Sequence, residues 1–461
     1  MRGLRRWWDD TAGGLPATFW YLWSGLLINR AGAFALLFLS LYLTAARGAP
    51  PSLAGLVVGA YGIGGAAGTL LGGVLADRWG RRATLLSAHL AAAGLMAALA
   101  FSTHLAVIAA LATLVGVAHS MPSPAFVAAI VDVVPEARRS RAFNLQFWAF
   151  NLGMAVASLL AGILAEASFT ALFLVDAGAT LAAAVVIALK VPETLTRRPA
   201  LTPRAVVGRR PGLHTALTDR TFLVFVGLTF LLAVLTMQTS TIMPLAMRED
   251  GLRPSAYGLV VALGGALIVA GQLFVPRLIE PYRKSSVLAV STGLMALGFG
   301  ALTVADGLPL YLGAAVVWTV GQMLAAPPNA QINADLAPPD LRARYQSVFY
   351  LTFPAASFVA PALGGLSLEH LGERHWLVVG ALGLLAAAGH LLAGPRRERR
   401  VAALRAAAGR RAAGSGGETG RIRSLRAAEG SGRQRQSAHL DPRRDGRSYR
   451  TPGGGGRHSP P

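Results

Sequence analysis

Apolar runs long enough to cross a lipid bilayer recur along this chain and leave it few ways to fold. A hydrocarbon core about 30 Å thick takes a helix of roughly 20 apolar residues. Such runs lie near 17–45, 53–75, 83–102, 105–130, 142–165 and 169–190, and again near 222–246, 255–279, 285–305, 308–332, 345–367 and 375–394. Lipid offers no hydrogen bonds to a bare backbone, so these segments must satisfy their own N–H and C=O groups as helices. They predict an all-α membrane protein with twelve transmembrane helices, six on each side of a polar linker at 191–220. Composition agrees: 53% of the residues are hydrophobic and 14% charged, against about a quarter charged in soluble proteins.

The sparse charges orient these spans, because arginine and lysine collect in the loops that stay in the cytoplasm. Alternate loops carry Arg78, Arg81 and Arg82, then Arg138, Arg139 and Arg141, then Arg197, Arg198, Arg204, Arg209, Arg210 and Arg220. The same side continues with Arg277, Arg283 and Lys284, then Arg342 and Arg344. The loops between them hold only Arg47, Arg248, Arg253 and Arg374. Both termini fall on the basic side, which predicts a multi-pass protein of the cytoplasmic (inner) membrane with both ends in the cytoplasm. The first apolar run is long and lacks a small-residue cleavage site, so it reads as a retained helix. With no cysteine in the chain, disulfides, thiolate metal sites and cysteine nucleophiles are excluded. The sequence also lacks a phosphate-binding loop, a histidine pair at metal spacing and a serine elbow, so no enzyme activity, metal or cofactor is expected.

The two sets of six are copies. DVVPEARRSR at 132–141 and DLAPPDLRAR at 335–344 share Asp, Pro, Arg and Arg in register, 203 positions apart. The same offset sets Asp77 against Glu280, Trp79 against Tyr282, Arg81 against Lys284, Gly162 against Gly365, Glu166 against Glu369 and Pro192 against Pro395. Matched charges mean more than matched leucines where charges are so few. Two pseudo-symmetric six-helix bundles follow, 1–190 and 221–394, with a basic tail at 395–461. Parallel repeats with both termini on one side suit a protein that rocks its halves about a central site, opening it to one face and then the other.

Between the second and third spans stands GGVLADRWGRR, residues 72–82. It resembles the signature loop of the major facilitator superfamily, G-x-L-a-D-r-x-G-r-r/k, at the place where that family carries it. The match covers Gly73, Leu75, Ala76, Asp77, Arg78, Gly80, Arg81 and Arg82. The resemblance implies the major facilitator fold and transport by alternating access. It further implies a conformational clasp, in which Asp77 faces the eleventh helix and Arg81 joins the charges between the fourth and fifth helices, Asp132, Arg139 and Arg141. A carboxylate at a helix end can meet the positive N-terminus of a neighbouring helix, which gives such a clasp its physical basis. The plainer role for these arginines is to fix topology.

In that family the first, fourth, seventh and tenth helices line the cavity. Arg30 lies near the middle of the first span beside Asn29. A charge at that depth costs roughly 2.5–3.5 kcal/mol, so it faces the bundle interior or a wet cavity. It is a candidate contact for a substrate or anion, or else a buried structural arginine. His119 in the fourth span can carry a proton near neutral pH, or pack as a neutral hydrogen-bonded ring. Asp176, on the peripheral sixth helix, has the structural reading. Gln238 in the seventh span, Gln272 in the eighth, and Gln322 and Asn329 in the tenth can bind a solute's polar groups or bond helix to helix. Trp318 can stack on a planar or cationic ligand. At two places this sequence departs from the pattern of proton-driven drug exporters. Their fourth-helix arginine, four residues before a glycine, is Ala112 ahead of Gly116, and the fifth-helix run NLGMAVASLLAG (151–162) lacks their proline.

The tail at 395–461 holds 17 arginines against 5 acidic residues, with almost no bulky apolar residue after Leu404. It is expected to be disordered and drawn to anionic lipid headgroups, with no nucleic-acid partner. Taken together, these residues predict a monomeric secondary transporter that exports a small hydrophobic or amphipathic solute in exchange for protons. An uptake or facilitative metabolite permease is a second reading, and a non-transporting receptor or scaffold on the same fold is a third.

Overall fold

Helices form where the apolar runs require them in the computed structural model, which describes residues 13–195, 214–271, 274–338 and 341–436. In the first half, α1 comprises Ala17–Ala31 and Ala35–Leu41 with a π-turn at Tyr42–Ala46, and α2 runs Pro51–Arg78. α3 is Arg81–Phe101, α4 is Leu105–Ser120 continued as Pro122–Val133, α5 is Arg139–Ala167 and α6 is Phe169–Lys190. In the second half, α7 is Arg220–Thr241 continued as Met243–Glu249, α8 is Pro254–Gly271 continued as Val275–Ile279, and α9 is Lys284–Ala301. α10 is Leu308–Leu336, α11 is Arg342–Tyr350 continued as Thr352–Leu371, and α12 is His375–Gln436. A short helix, His214–Thr218, leads into α7.

Among the described residues, ten continuous helical stretches are long and apolar enough to span a membrane. One of them, Arg344–Leu404, turns at Gly372 (φ 54°) and so supplies both α11 and α12, while α1 spans in two pieces. Twelve segments in all match the twelve apolar runs. The interruptions follow from local chemistry. Pro122 and Pro244 have no N–H to give the preceding turn, so the second pieces of α4 and α7 start beside them. α1 stops at Gly32, which lies so close to Ala179 of α6 that a side chain there would overlap it. The N–H freed at Phe34 donates to Asp176 Oδ2 at 2.9 Å.

Within the first half α2 packs on α4, α3 on α6, and α1 on α5 and α6; within the second, α9 packs on α10, α7 on α11 and α8 on α10. The halves meet along α2 with α11 and along α5 with α8. These two seams are built alike. A side chain at Gly55 would strike the carbonyl of Pro361, and one at Gly258 the carbonyl of Ser158; one at Gly365 would strike Pro51, and one at Gly162 the Cα of Ser255, with the Pro254 carbonyl close behind it. Every member of one seam is the other's partner at the offset of 203. Glycine at these four positions lets backbone meet backbone, the mode of close packing available where no hydrophobic effect drives helices together.

The first compact unit runs to Arg400. Arg397 is buried and donates to His390 O at 2.8 Å, and Arg400 Nη2 donates to Asp219 Oδ2 at 2.8 Å. The boundary of the bundle expected at 395 therefore lies at 400, since these two arginines belong to the second half. Residues 401–436, part of a second unit, are helical where composition predicts a disordered chain; their alanines and arginines are strong helix formers. The rest of that unit, and Arg197, Arg198, Arg204, Arg209 and Arg210 of the linker, lie outside the described residues.

Candidate functional site

At the end away from the basic loops, the two halves close on each other through two carboxylates. Glu166, in the last turn of α5, accepts a hydrogen bond of 3.1 Å from the backbone N–H of Ser255 in the first turn of α8. Glu369, in the last turns of α11, accepts one of 2.9 Å from the N–H of Ser52 in the first turn of α2. First-turn N–H groups lack partners inside their own helix and carry its partial positive charge, so a carboxylate is well matched to them. Pro51 and Pro254 open the two helices, leaving Ser52 and Ser255 with the first free N–H. All these residues are related by the offset of 203. Each half caps the other in the same way.

The basic end follows the repeat too, but inside each half. Arg81 Nε bonds Asp132 Oδ2 at 3.1 Å, and its counterpart Lys284 Nζ bonds Asp335 Oδ2 at 2.8 Å. Arg81 also donates to Ala76 O at 2.7 Å and Asp77 Oδ1 at 3.3 Å. Arg82 reaches Ala188 O at 2.6 Å, Arg139 reaches Val131 O at 3.0 Å, and Arg141 reaches Gly13 O at 3.1 Å. The arginines thus tie the loops of the first half to one another. Asp77 bonds Arg81 of its own half and leaves 78% of its side chain exposed, as is Arg78 beside it. The first piece of α11 packs on α10 and the short helix of its own half, and Tyr350 and Leu351 are exposed. Among the described residues, Gly73 has nothing within 4 Å of where a side chain would begin. Of the expected clasp residues, Arg81 bonds Asp77 and Asp132 within the first half, and among the described residues Asp77 makes no ion pair with α11.

Gly80 has φ 107°, a conformation glycine takes without strain, and it opens α3 beside Glu193. That residue, just past α6, accepts from the N–H groups of Arg81 (2.8 Å), Arg82 (3.2 Å), Thr194 (2.9 Å) and Leu195 (2.9 Å). Burial opposes its charge, but these backbone donors outweigh burial and hold its carboxyl below the ordinary value of 4.5. Nothing in the sequence singles out Glu193, since a cap brought from so far along the chain leaves no local signature.

Deeper in the first half lies a polar cluster. The Arg30 guanidinium carbon sits 4.5 Å from the ring centroid of Phe150 on α5, and a side chain at Gly153 would strike the Cβ of Arg30. Arg30 Nε is buried and has no hydrogen-bond partner among the described residues. Tyr61 of α2 and Asp176 of α6 lie within electrostatic reach of it, as does His119 of α4. Tyr61 Oη and His119 Nδ1 are 3.1 Å apart, and the other ring nitrogen of His119 has no hydrogen-bond partner among the described residues. Asn29 Nδ2 donates to Thr180 Oγ1 at 3.1 Å, joining α1 to α6. Asp176 spends one oxygen on Phe34 and the other on Thr180 Oγ1 at 3.4 Å, the structural role expected of it. Arg30 and His119 therefore come together, with Tyr61 and Phe150 added by the fold.

The second half contributes less to the centre. Gln238 is buried, its Oε1 has no hydrogen-bond partner among the described residues, and it lies beside Gly364 of α11. Asn329 Oδ1 accepts from Thr229 Oγ1 at 3.0 Å, a bond from α10 to α7. Trp318 is buried and stacked on Phe299 at 5.0 Å, so the ring expected at a ligand is spent on packing α10 against α9. Gln322 is partly exposed on α10, and Gln272 lies outside the described residues. Ala112 is buried at the place of the exporters' arginine.

Comparison with known proteins places this arrangement. The model of the Major Facilitator Superfamily matches residues 22–279 and 228–428. The chain is 29% identical over 375 residues to the uncharacterized MFS-type transporter YttB of Bacillus subtilis (strain 168), covering 80% of this chain and 93% of that one. It is 25% identical over 355 residues to a Na(+), Li(+), K(+)/H(+) antiporter of Planococcus maritimus, covering 70% and 83%. The multidrug resistance protein MdtH of Aeromonas salmonicida (strain A449) is 24% identical over 373 residues, covering 79% and 92%. Among solved structures, the peptide transporter POT in complex with sulfate superposes with a TM-score of 0.69 at 16% identity, covering 85% of this chain and 99% of that one. The nucleoside transporter NupG gives 0.63 at 14% identity, covering 84% and 99%. The family model spans both bundles, and the seams between them repeat at one offset: the chain belongs to the major facilitator superfamily, a family of membrane transporters and not of enzymes.

Proposed function

We propose that this protein is a secondary active transporter that exports a small hydrophobic or amphipathic solute across the cytoplasmic membrane in exchange for protons, its basic end and termini in the cytoplasm. The reciprocal capping of Ser52 by Glu369 and Ser255 by Glu166 carries this reading. One end of the bundle is sealed by contacts that both halves make identically, while Asp77 stands exposed at the other. That is one half of an alternating cycle. In the other half Asp77 reaches α11, the basic end closes, and the two glutamates let go. Arg30, Tyr61 and His119 form the central site, with His119 the proton carrier.

Export in exchange for protons draws support from relatives whose names speak of multidrug resistance and of cation/proton antiport. Ala112 favours a second reading, a permease that moves its solute down a gradient. The test uses inside-out vesicles and a panel of fluorescent amphipathic dyes, with and without an acid interior. Accumulation that needs the gradient and is lost in Asp77→Asn, with expression intact, is the expected result. Equilibration without a gradient selects the permease. A correctly inserted protein that moves no dye overturns transport of this solute class.

A further inference from the structure

Building on the transporter reading, we infer that the solute carries an anionic head, a carboxylate or a group of like geometry, and that Arg30 holds it. A guanidinium has five N–H donors and no acceptor. Among the described residues none of those donors meets a hydrogen-bond or ion-pair partner, and Nε is sealed from solvent as well. An unsatisfied polar group at membrane depth is costly, and such groups there mark functional contacts. The carboxylate within electrostatic reach, Asp176, has its oxygens engaged at the break in α1 and by Thr180. Phe150 holds the cation against its ring without using an N–H.

The site is therefore complete as a cation cradle and incomplete as a hydrogen-bond network, and a carboxylate supplies the missing acceptors through two parallel bonds. The surroundings set the rest of the solute. Tyr61 and His119 are the neighbouring polar groups, while Phe150, against the guanidinium, is 39% exposed on α5. One guanidinium with aromatic neighbours suits a monoanionic head on an apolar or aromatic body. It disfavours a quaternary ammonium, which Arg30 repels.

Three naphthalene compounds that differ only in their head, a carboxylate (naphthalene-2-acetate), its amide and a trimethylammonium analogue, decide the matter. Binding to the purified full-length protein is read from the rise in its unfolding temperature. Flux is read in proteoliposomes with an imposed proton gradient. The carboxylate is expected to bind the wild type about 10- to 100-fold more tightly than the amide, the range for a charge-assisted bond. Arg30→Gln should erase that preference. Arg30→Lys should keep its sign but weaken it, because a lysine cannot offer the forked pair. Equal binding of carboxylate and amide by the wild type overturns the inference, and so does a preference that survives in Arg30→Gln; the wild-type ranking stands even if a variant fails to fold. If the ammonium compound is driven by the gradient and the carboxylate is neither bound nor moved, this inference falls and the transporter reading stands. Carboxylate binding that depends on Arg30, with no compound moved under any gradient, does the reverse.

Discussion

Glu193 shows how much a single side chain fixes at the basic end. It caps α3 from beyond α6 and so holds the loop that presents Asp77. Replacing it with alanine should cost about 0.5–1 kcal/mol, the low end for a lost cap because solvent reaches the site. The pH dependence has a definite sign. The folded carboxyl titrates below its ordinary value of 4.5, so its contribution is full above that value and is lost as pH falls through the lower folded one. Unfolding temperatures of the wild type and Glu193→Ala should therefore differ at neutral pH and converge in acid. A gap that persists once the carboxyl is protonated would show that packing, and not charge, is what the residue supplies.

At the scale of the helices, the two seams should behave as equivalents. Glu166→Gln and Glu369→Gln each weaken one cap, and the repeat that relates them predicts matching shifts toward the state open at the capped end, with the double variant shifted further. Gly55→Leu and Gly258→Leu should do the same more strongly, since their side chains would meet the carbonyls of Pro361 and Ser158. Transport assays with surface expression as control check both pairs; opposite behaviour within a pair would break the equivalence. The repeat itself was legible because charges are scarce in this chain: Arg81 with Lys284 and Asp132 with Asp335 stood out, and they prove to be corresponding ion pairs. What each repeated residue touches was not legible. Glu166 and Glu369 match each other along the sequence, yet each bonds the other half's helix, a contact set only by how the bundles dock. The same holds for Trp318, whose ring was open to a ligand role on sequence grounds and is consumed by Phe299.

For the whole molecule, twelve spans and two halves could be read directly, because lipid forces apolar runs into helices. The break in α1 could not be read from hydropathy, since it depends on Ala179 and Asp176 of α6. The central cluster was half legible. Arg30 and His119 announce themselves as polar residues among apolar ones, whereas Tyr61 and Phe150 join them only through the packing of α2 and α5. Alternation of the two closures is the claim on which the rest depends, and the chain offers a clean probe of it. It has no cysteine, and Ser158 is wholly buried where α5 meets α8. In Ser158→Cys the sole thiol should resist a membrane-impermeant maleimide added at the capped face while the protein rests. It should label rapidly when a proton gradient and a transported dye drive turnover, or when Glu166→Gln and Glu369→Gln release the caps. A thiol that stays unreactive under all these conditions, in a protein shown to be folded and transporting, would contradict alternating access through this seam.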